Sequence, residues 1–307
     1  MTNRMNGRAL ASASLAVLSW STVATAFKLA LEHLTHFELL LIASCTALLI
    51  FTLVITVQRK WAPLLQLAKR RWTYYALLGL LNPVAYYLIL FKSYSLLPAQ
   101  VAQPINYVWP ILLTVLLVLF SHRAIPRVKY IGLFISLCGV VFISLGSSEI
   151  GHLHLSAFGL FLAVFSAFLW ATYWLITDKE KEKADATMSL FLCFFFGSVY
   201  LVAAAAVIGI HPITLQGLLS GMYVGGFEMG IPFIAFGYAL GKTTNPALIN
   251  QMCYLAPFLS LFFIAMVLGE PIVVTTYVGL ALIVGGILFN QYGVNLKLKK
   301  SFYHGHH

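Results

Sequence analysis

YIGLFISLCGVVFI, residues 130–143, returns at 277–290 as YVGLALIVGGILFN. The two stretches lie 147 positions apart, and Tyr130, Gly132, Leu133, Gly139 and Phe142 fall on Tyr277, Gly279, Leu280, Gly286 and Phe289. Aliphatic residues match by chance in any two apolar helices, but tyrosines and glycines held at one offset do not. The same offset carries PAQVAQPINYVWP (98–110) onto NPALINQMCYLAP (245–257). Gln103, Tyr107 and Pro110 then meet Asn250, Tyr254 and Pro257, so both halves read amide, three residues, Tyr, two residues, Pro. With a small shift, Trp20-Ser21-Thr22 meets Trp170-Ala171-Thr172. The chain divides as 1–148 and 149–296, two related halves, with a basic tail at 297–307 whose SFYHGHH ending has the look of an added tag.

Composition says where the halves reside. Of 307 residues, 61% are hydrophobic and 9% charged, with a mean hydropathy of +0.90. A soluble chain of this length needs about 25% charge to cover its surface, so the solvent for most of this one is a bilayer. The net charge of +10 sits in short loops between apolar runs and comes with no base-reading motif, so nucleic acid is not an expected partner. Cys45, Cys138, Cys193 and Cys253 lie in separate apolar runs without paired spacing, which argues against a disulfide framework or a zinc site. Neither a metal nor a cofactor is expected. Arg4, Arg8 and the run ending near Ala24-Thr25-Ala26 resemble a secretory signal, but the run from Ala9 to Leu31 is long enough to span and has its partner in the second half.

A helix crosses the hydrocarbon in ~20 residues. Ten spans are predicted, starting near Ala9, His36, Trp72, Pro98, Tyr130, Leu155, Thr187, Gly217, Pro246 and Val273. With a cytoplasmic N-terminus, 17 of the 19 Lys and Arg residues fall on one side, Lys28 and Lys92 excepted. The Lys/Arg bias sets orientation, so both termini are expected in the cytoplasm. Five spans per half is odd, so the halves enter the membrane upside down to one another. The expected fold is an all-α integral membrane protein of ten helices in two inverted five-helix repeats, the arrangement of secondary transporters.

The polar residues choose their faces. On a wheel of about 100° per residue, Gln100, Asn106, Tyr107 and Pro110 lie within about 60° of Gln103. Pro246, Asn250, Tyr254 and Pro257 share a face in the ninth span, with Gln251 at its edge. An amide left in lipid without a partner costs several kcal/mol, and each proline leaves a carbonyl unbonded. Such faces belong against other helices or a wet cavity. The third span is interrupted at Asn82-Pro83, a turn before Tyr86; the eighth at Gly225, Gly226, Glu228, Gly230 and Pro232. Interrupted helices at corresponding places in two halves point to a transport site. Pro83, Pro104, Pro110, Pro232 and Pro257 are the expected helix breaks. The amides considered singly also suit a structural role, as glue between helices.

These features resemble the drug/metabolite transporter superfamily, in its EamA group of ten-helix carriers, over the whole chain. The resemblance rests on the inverted repeat and on PFLSLFFIAMVLGEP followed by YVGLALIVGGILF. More specifically, NPVAYYLILFKSYSLLPAQVAQPINYVWP is similar to the bacterial exporters of aromatic amino acids. That resemblance implies export of aromatic amino acids and related metabolites across the bacterial inner membrane, by a single chain as the transport unit. One departure is that the halves do not align cleanly at Glu228.

Trp20, Asn82, Tyr86, Gln100, Gln103, Asn106, Tyr107, Trp109, Trp170, Asn250, Gln251 and Tyr254 are the candidate cavity residues. Flat rings suit flat rings, and amides hold a zwitterion without adding net charge. Trp109 lies about 120° from the Gln103 face, and Trp61, Trp72, Tyr74 and Tyr75 read as interface anchors. Lys28 is the only basic residue well inside a span, which disfavours phosphorylated cargo. Glu228, the only acidic residue inside one, is a candidate site for an ion or an ammonium group; a protonated, hydrogen-bonded structural role is the other reading. Other neutral solutes, such as purines or hydrophobic drugs, fit the same fold. An integral-membrane enzyme is disfavoured, since no His-Glu-x-x-His, no Gly-x-Ser-x-Gly and no paired intramembrane aspartates occur. His152, His154 and His211 lack ligand spacing.

Overall fold

The computed structural model describes residues 7–121, 128–146, 155–178, 185–243 and 246–303; the side chains of 121, 128–130, 144–146, 178, 246–247 and 290–303 are not described. Arg4, Arg123, Arg127, Glu149, His152, His154 and the run 179–184 lie outside these residues, as does the end of the tail. Ten helical segments follow one another: α1 (Gly7–Leu31), α2 (His36–Val57), α3 (Trp61–Leu96), α4 (Ala99–Phe120), α5 (Val128–Gly146), α6 (Ala157–Asp178), α7 (Ala186–Ile208), α8 (Leu215–Lys242), α9 (Leu248–Leu268) and α10 (Val274–Tyr303). Eight are long and apolar enough to cross a membrane, and α5 and α10 contribute shorter apolar stretches, Ile131–Ile143 and Val274–Phe289. The third helix starts at Trp61 rather than Trp72, but its first ten residues are bent away by non-helical geometry at Arg71 (φ −136°, ψ 26°). The tenth continues through the boundary drawn at 296 to Tyr303.

The inversion is visible where α5 and α10 pack. Ser136 Oγ donates to the Ile283 carbonyl at 3.0 Å, and the two residues are one repeat apart. On one side of this contact a Cβ on Gly139 would stand 2.5 Å from the Gly279 carbonyl oxygen; on the other, a Cβ on Gly286 would strike the Gly132 carbonyl. Gly279 and Gly286 are the repeat partners of Gly132 and Gly139, so the seam exchanges with itself when the halves are exchanged. The order of contacts also makes the helices antiparallel. In lipid, where association gains little from hydrophobicity, such glycines let backbones touch.

The remaining packing obeys the same exchange. The second part of α3 lies on α6, as the second part of α8 lies on α1; α4 meets α6 as α9 meets α1; and α2 packs on α7 across the axis. Both α3 and α8 widen at corresponding places, Leu80–Ala85 and Gly225–Gly230. Each is preceded or opened by a glycine against the other half: a Cβ on Gly79 would stand 2.5 Å from the Cys193 carbonyl, and one on Gly225 would strike the Ala43 carbonyl. Both α4 and α9 break at Tyr107–Val108 and Cys253–Tyr254, just before Pro110 and Pro257, which lack the N–H that would continue the ladder.

Candidate functional site

The widened turn of α8 places Glu228 midway along a helix running from Leu215 to Lys242. Its Oε1 accepts from the Tyr87 hydroxyl at 3.1 Å. The Tyr87 ring meets Tyr86 edge-on at 4.6 Å, and Tyr86 stacks on Trp170 at 4.7 Å. Trp170 approaches Phe233 at 6.1 Å, Phe233 packs edge-on to Trp20 at 5.6 Å, and the Trp20 indole N–H donates to the Glu228 carbonyl at 3.3 Å. The contacts close into a circuit drawn from α1, α3, α6 and α8, two helices from each half. A polar arm extends from it: the Tyr86 hydroxyl donates to Asn106 Oδ1 at 3.3 Å, and Asn106 Nδ2 donates to Ser166 Oγ at 2.9 Å.

Glu228 is buried, and among the described residues no basic side chain pairs with it. An ionised carboxylate in mid-membrane costs ~2.5–3.5 kcal/mol on insertion scales, and one phenol hydrogen bond does not cancel a charge. On the adjoining turns of α4 and α3, Gln103 Oε1 and Asn82 Oδ1 are buried without a hydrogen-bond partner. An unpaired buried amide oxygen costs about 1–3 kcal/mol, the kind of deficit a water or a solute can repair.

Of the residues anticipated from sequence, Trp20, Tyr86, Asn106, Trp170 and Glu228 come together in this circuit and arm. Asn82, Gln103 and Tyr107 stand on the adjoining turns of α3 and α4. Gln100 is engaged elsewhere: its Nε2 donates to the Pro271 carbonyl at 2.9 Å and its Oε1 accepts from the Thr276 hydroxyl at 3.1 Å. Trp109 stacks on Trp174 at 6.1 Å, outside the circuit. Asn250 is exposed, and Gln251 and Tyr254 line an open groove of about 360 Å³ between α9 and α10, with Leu255, Phe258, Val284 and Leu288. Pro83, Pro104, Pro232 and Pro257 are buried, and Pro110 is half-buried.

Sequence reading missed Tyr87, Ser166, Phe233 and Glu270. Ser166 sits one helical turn before Trp170, a spacing that places both on one face. Phe233 directly follows Pro232. Glu270 lies in the loop between α9 and α10, and its carboxylate accepts from the backbone N–H groups of Ala99 and Gln100, at 3.1 and 3.4 Å. That is a cap on α4 delivered from 171 residues away. Beside it, the Lys28 ammonium donates to the carbonyls of Tyr94 and Leu97 at the end of α3. Anion at a helix start and cation at a helix end are both favoured by the helix dipoles.

A ten-helix inverted repeat with an aromatic, polar centre is the architecture of a secondary carrier. The family model described as "EamA-like transporter family" matches residues 7–145 and 157–292, and the chain belongs to that family. It is 26% identical over 234 residues to the "Uncharacterized transporter YvbV" of Bacillus subtilis (strain 168), covering 75% of this chain and 74% of that one. It is 25% identical over 194 residues to the "Aromatic amino acid exporter YddG" of Escherichia coli (strain K12), covering 60% of this chain and 64% of the relative. A solved crystal structure superposes with a TM-score of 0.64 at 18% identity, over 92% of this chain and 96% of the other, and shares its fold. The protein is a multi-pass bacterial membrane protein of a transporter family.

Proposed function

We propose that the chain is an alternating-access exporter of small solutes that carry an aromatic ring, aromatic amino acids among them, moving them out of the cytoplasm across the inner membrane. The observation that carries this reading is the closed circuit of Trp20, Tyr86, Tyr87, Trp170 and Phe233 at the junction of the two halves. Ring pairs add ~0.5–1.5 kcal/mol each beyond their buried area, so a flat solute that replaces them loses little. The named activity of the Escherichia coli relative supports the same cargo, and the positive-inside bias supports cytoplasmic termini. A single chain supplies both halves of the carrier, and the bilayer is its other partner.

Helices alternate in direction, so α9 starts on the side of the N-terminus and α4 starts on the far side. Along the α9 face, exposure falls from Asn250 through Tyr254 to the buried Pro257; along the α4 face, it rises from the buried Gln103 to Pro110. On both faces the more exposed end is the one on the terminus side. The test is uptake of labelled tryptophan and phenylalanine into liposomes holding the purified protein. Rates several-fold above protein-free liposomes, and suppressed by excess unlabelled aromatic amino acid, are expected. No uptake above that background would overturn the reading.

A further inference from the structure

Glu228 stands in the circuit with its carboxyl accepting from the Tyr87 hydroxyl and its backbone carbonyl accepting from the Trp20 indole N–H, and among the described residues no basic side chain pairs with it. The phenols that interact electrostatically with it are Tyr86, Tyr87 and Tyr94 on α3 and Tyr107 on α4. From α1 the charged group facing inward is Lys28, whose ammonium is bound to the Tyr94 and Leu97 carbonyls at 3.2 and 3.1 Å. α8 adds Phe233 to the circuit beside Glu228 itself, and α2, which packs on the widened turn through Ala43, Thr46 and Ile50, carries Cys45 as its only titratable side chain after Glu38. Phenols ionise near pH 10 and carboxyls far below it, so the Glu228 carboxyl is the member of this cluster that can alternate between a protonated and a charged form. Two occupants can neutralise it: a proton on its own oxygen, or a cation brought in from solution.

The rings decide which cation. A metal ion asks for several oxygen ligands, and no group of three or more His, Cys, Asp or Glu side chains that could hold one is found among the described residues. A carboxyl that accepts from a phenol, in a circuit that also holds Trp20, Tyr86 and Trp170, instead suits an organic ammonium, which pairs with an oxygen and lies against a ring face. The circuit holds no basic side chain, so a carboxylate on the cargo finds no ion pair there. The amine is the charge being read.

We infer that Glu228 is the site at which the ammonium group of the cargo and a proton displace one another, so that outward movement of an aromatic amine or amino acid is coupled to inward movement of a proton. The inference rests on the transport function proposed above. The balance is simple: on the cytoplasmic side the ammonium replaces the proton of the Glu228 carboxyl, which leaves as H⁺. On the other side a proton returns to the carboxylate as the ammonium departs. Because one carboxyl cannot hold both, neither ion travels down its gradient without the other.

The experiment uses the full-length purified protein in detergent, in weak buffer with a pH-indicator dye, between about pH 5.5 and 8. The ligands are tryptamine, tryptophan and indole-3-propionate. Tryptamine binding is expected to release up to about one proton per molecule bound, and to tighten by up to about tenfold per pH unit while the carboxyl is protonated. Release by tryptophan as well assigns amino acids to the same site; release by tryptamine alone assigns decarboxylated amines. Indole-3-propionate, with the ring but no amine, is expected to bind at least tenfold more weakly than tryptamine and to release no proton. Glu228→Gln is expected to abolish proton release, with its folding checked by its melting profile. Should that variant not fold, the wild-type release stands as the test. Amine binding with no proton released at any pH, or indole-3-propionate binding as well as tryptamine, would overturn the coupling while leaving aromatic transport intact. No binding of any of the three would overturn the transport proposal and this inference together.

Discussion

The starts of α4 and α9 carry the same motif and are held in opposite ways. In α4, Gln100, Gln103 and Asn106 are 3%, 4% and 9% exposed. Glu270 caps the first N–H groups and the Gln100 amide bridges to the start of α10. In α9, Asn250 is exposed, and Gln251 lines an open groove. The sequence offers a reason. Glu270 supplies the carboxylate that caps α4, and its repeat partner is Arg123. A cation does not complement the positive end of a helix. The carboxylate that latches the start of α4 is thus one that the sequence does not repeat in the other copy. An inverted repeat opens to one side only while its two copies are held in different conformations.

The largest test concerns the part of the molecule where symmetry holds. Gly139→Val puts two methyl groups and a Cβ where the Gly279 carbonyl lies, and Gly286→Val does the same against Gly132 and Ser136. Overpacking of this kind costs about 1–3 kcal/mol or more. Both variants are expected to lower the melting temperature in detergent by several degrees and by similar amounts. A large effect at one seam glycine and none at its repeat partner would break the two-fold relation.

Next comes the latch. Glu270→Gln removes the charge facing the start of α4. A carboxylate there is worth about 1 kcal/mol and up to ~2 when partly buried, roughly a 5–30-fold change in the ratio of sealed to open forms. Cysteine placed at Gln103 is expected to react slowly with a polar thiol reagent and to react several-fold faster in the Glu270→Gln background. Cysteine placed at Asn250 is expected to react fast in both. Equal labelling at 103 with and without Glu270 would remove the latch from the account. A smaller change is expected from Asn106→Leu, which breaks the bridge between Tyr86 and Ser166. Hydrogen bonds between membrane helices average ~0.6 kcal/mol and reach ~1.7, so KM for an aromatic solute is expected to rise about three- to twentyfold, with little change in melting temperature.

The sequence showed the halves, their inversion and most of the circuit because these features repeat or contradict their surroundings. An amide or a carboxylate in an apolar run stands out, and a Tyr kept at a fixed offset stands out. Tyr87 and Phe233 did not, because an aromatic in a membrane helix is ordinary and only three-dimensional packing tells the circuit from the lipid face. Gln100 and Gln103 lie on one wheel face, yet the loop before α10 captures the first and leaves the second unpartnered. That capture depends on Glu270 and Pro271, 171 residues downstream, beyond any periodicity. Wheel angles place a residue on a face; they do not say which distant loop reaches it first.

The smallest expected effect comes from another near-symmetric pair. Asp185 caps α7 through the N–H groups of Thr187 and Met188 and pairs with Lys60 at 2.6 Å. On the far side Glu38 completes the capping box of α2 with Thr35 and accepts from His211 Nδ1 at 2.8 Å. Thr35 and Asp185, and Lys60 and His211, are 150 and 151 positions apart, so both staples tie the start of a second helix of a half to the loop before a third. They differ in charge: the histidine link is ionic only when its ring is protonated. Burial would raise the Asp185 carboxyl, but Lys60 and the two backbone donors outweigh it and hold the group below its ordinary value of 3.8. A lowered carboxyl pKa contributes stability above the ordinary value that fades as pH falls through the lowered one. The terminus-side staple is thus constant through the physiological range. Asp185→Ala removes cap and pair together, and is expected to cost about 0.5–2 kcal/mol, chiefly the cap. Asp185→Asn, which can still cap, is expected to cost less than ~1 kcal/mol, the range of partly exposed ion pairs. Melting temperatures measured from pH 6 to 8 are expected to show the Asp185→Ala deficit unchanged. A deficit that vanished toward pH 6 would remove the lowered Asp185 carboxyl from the account.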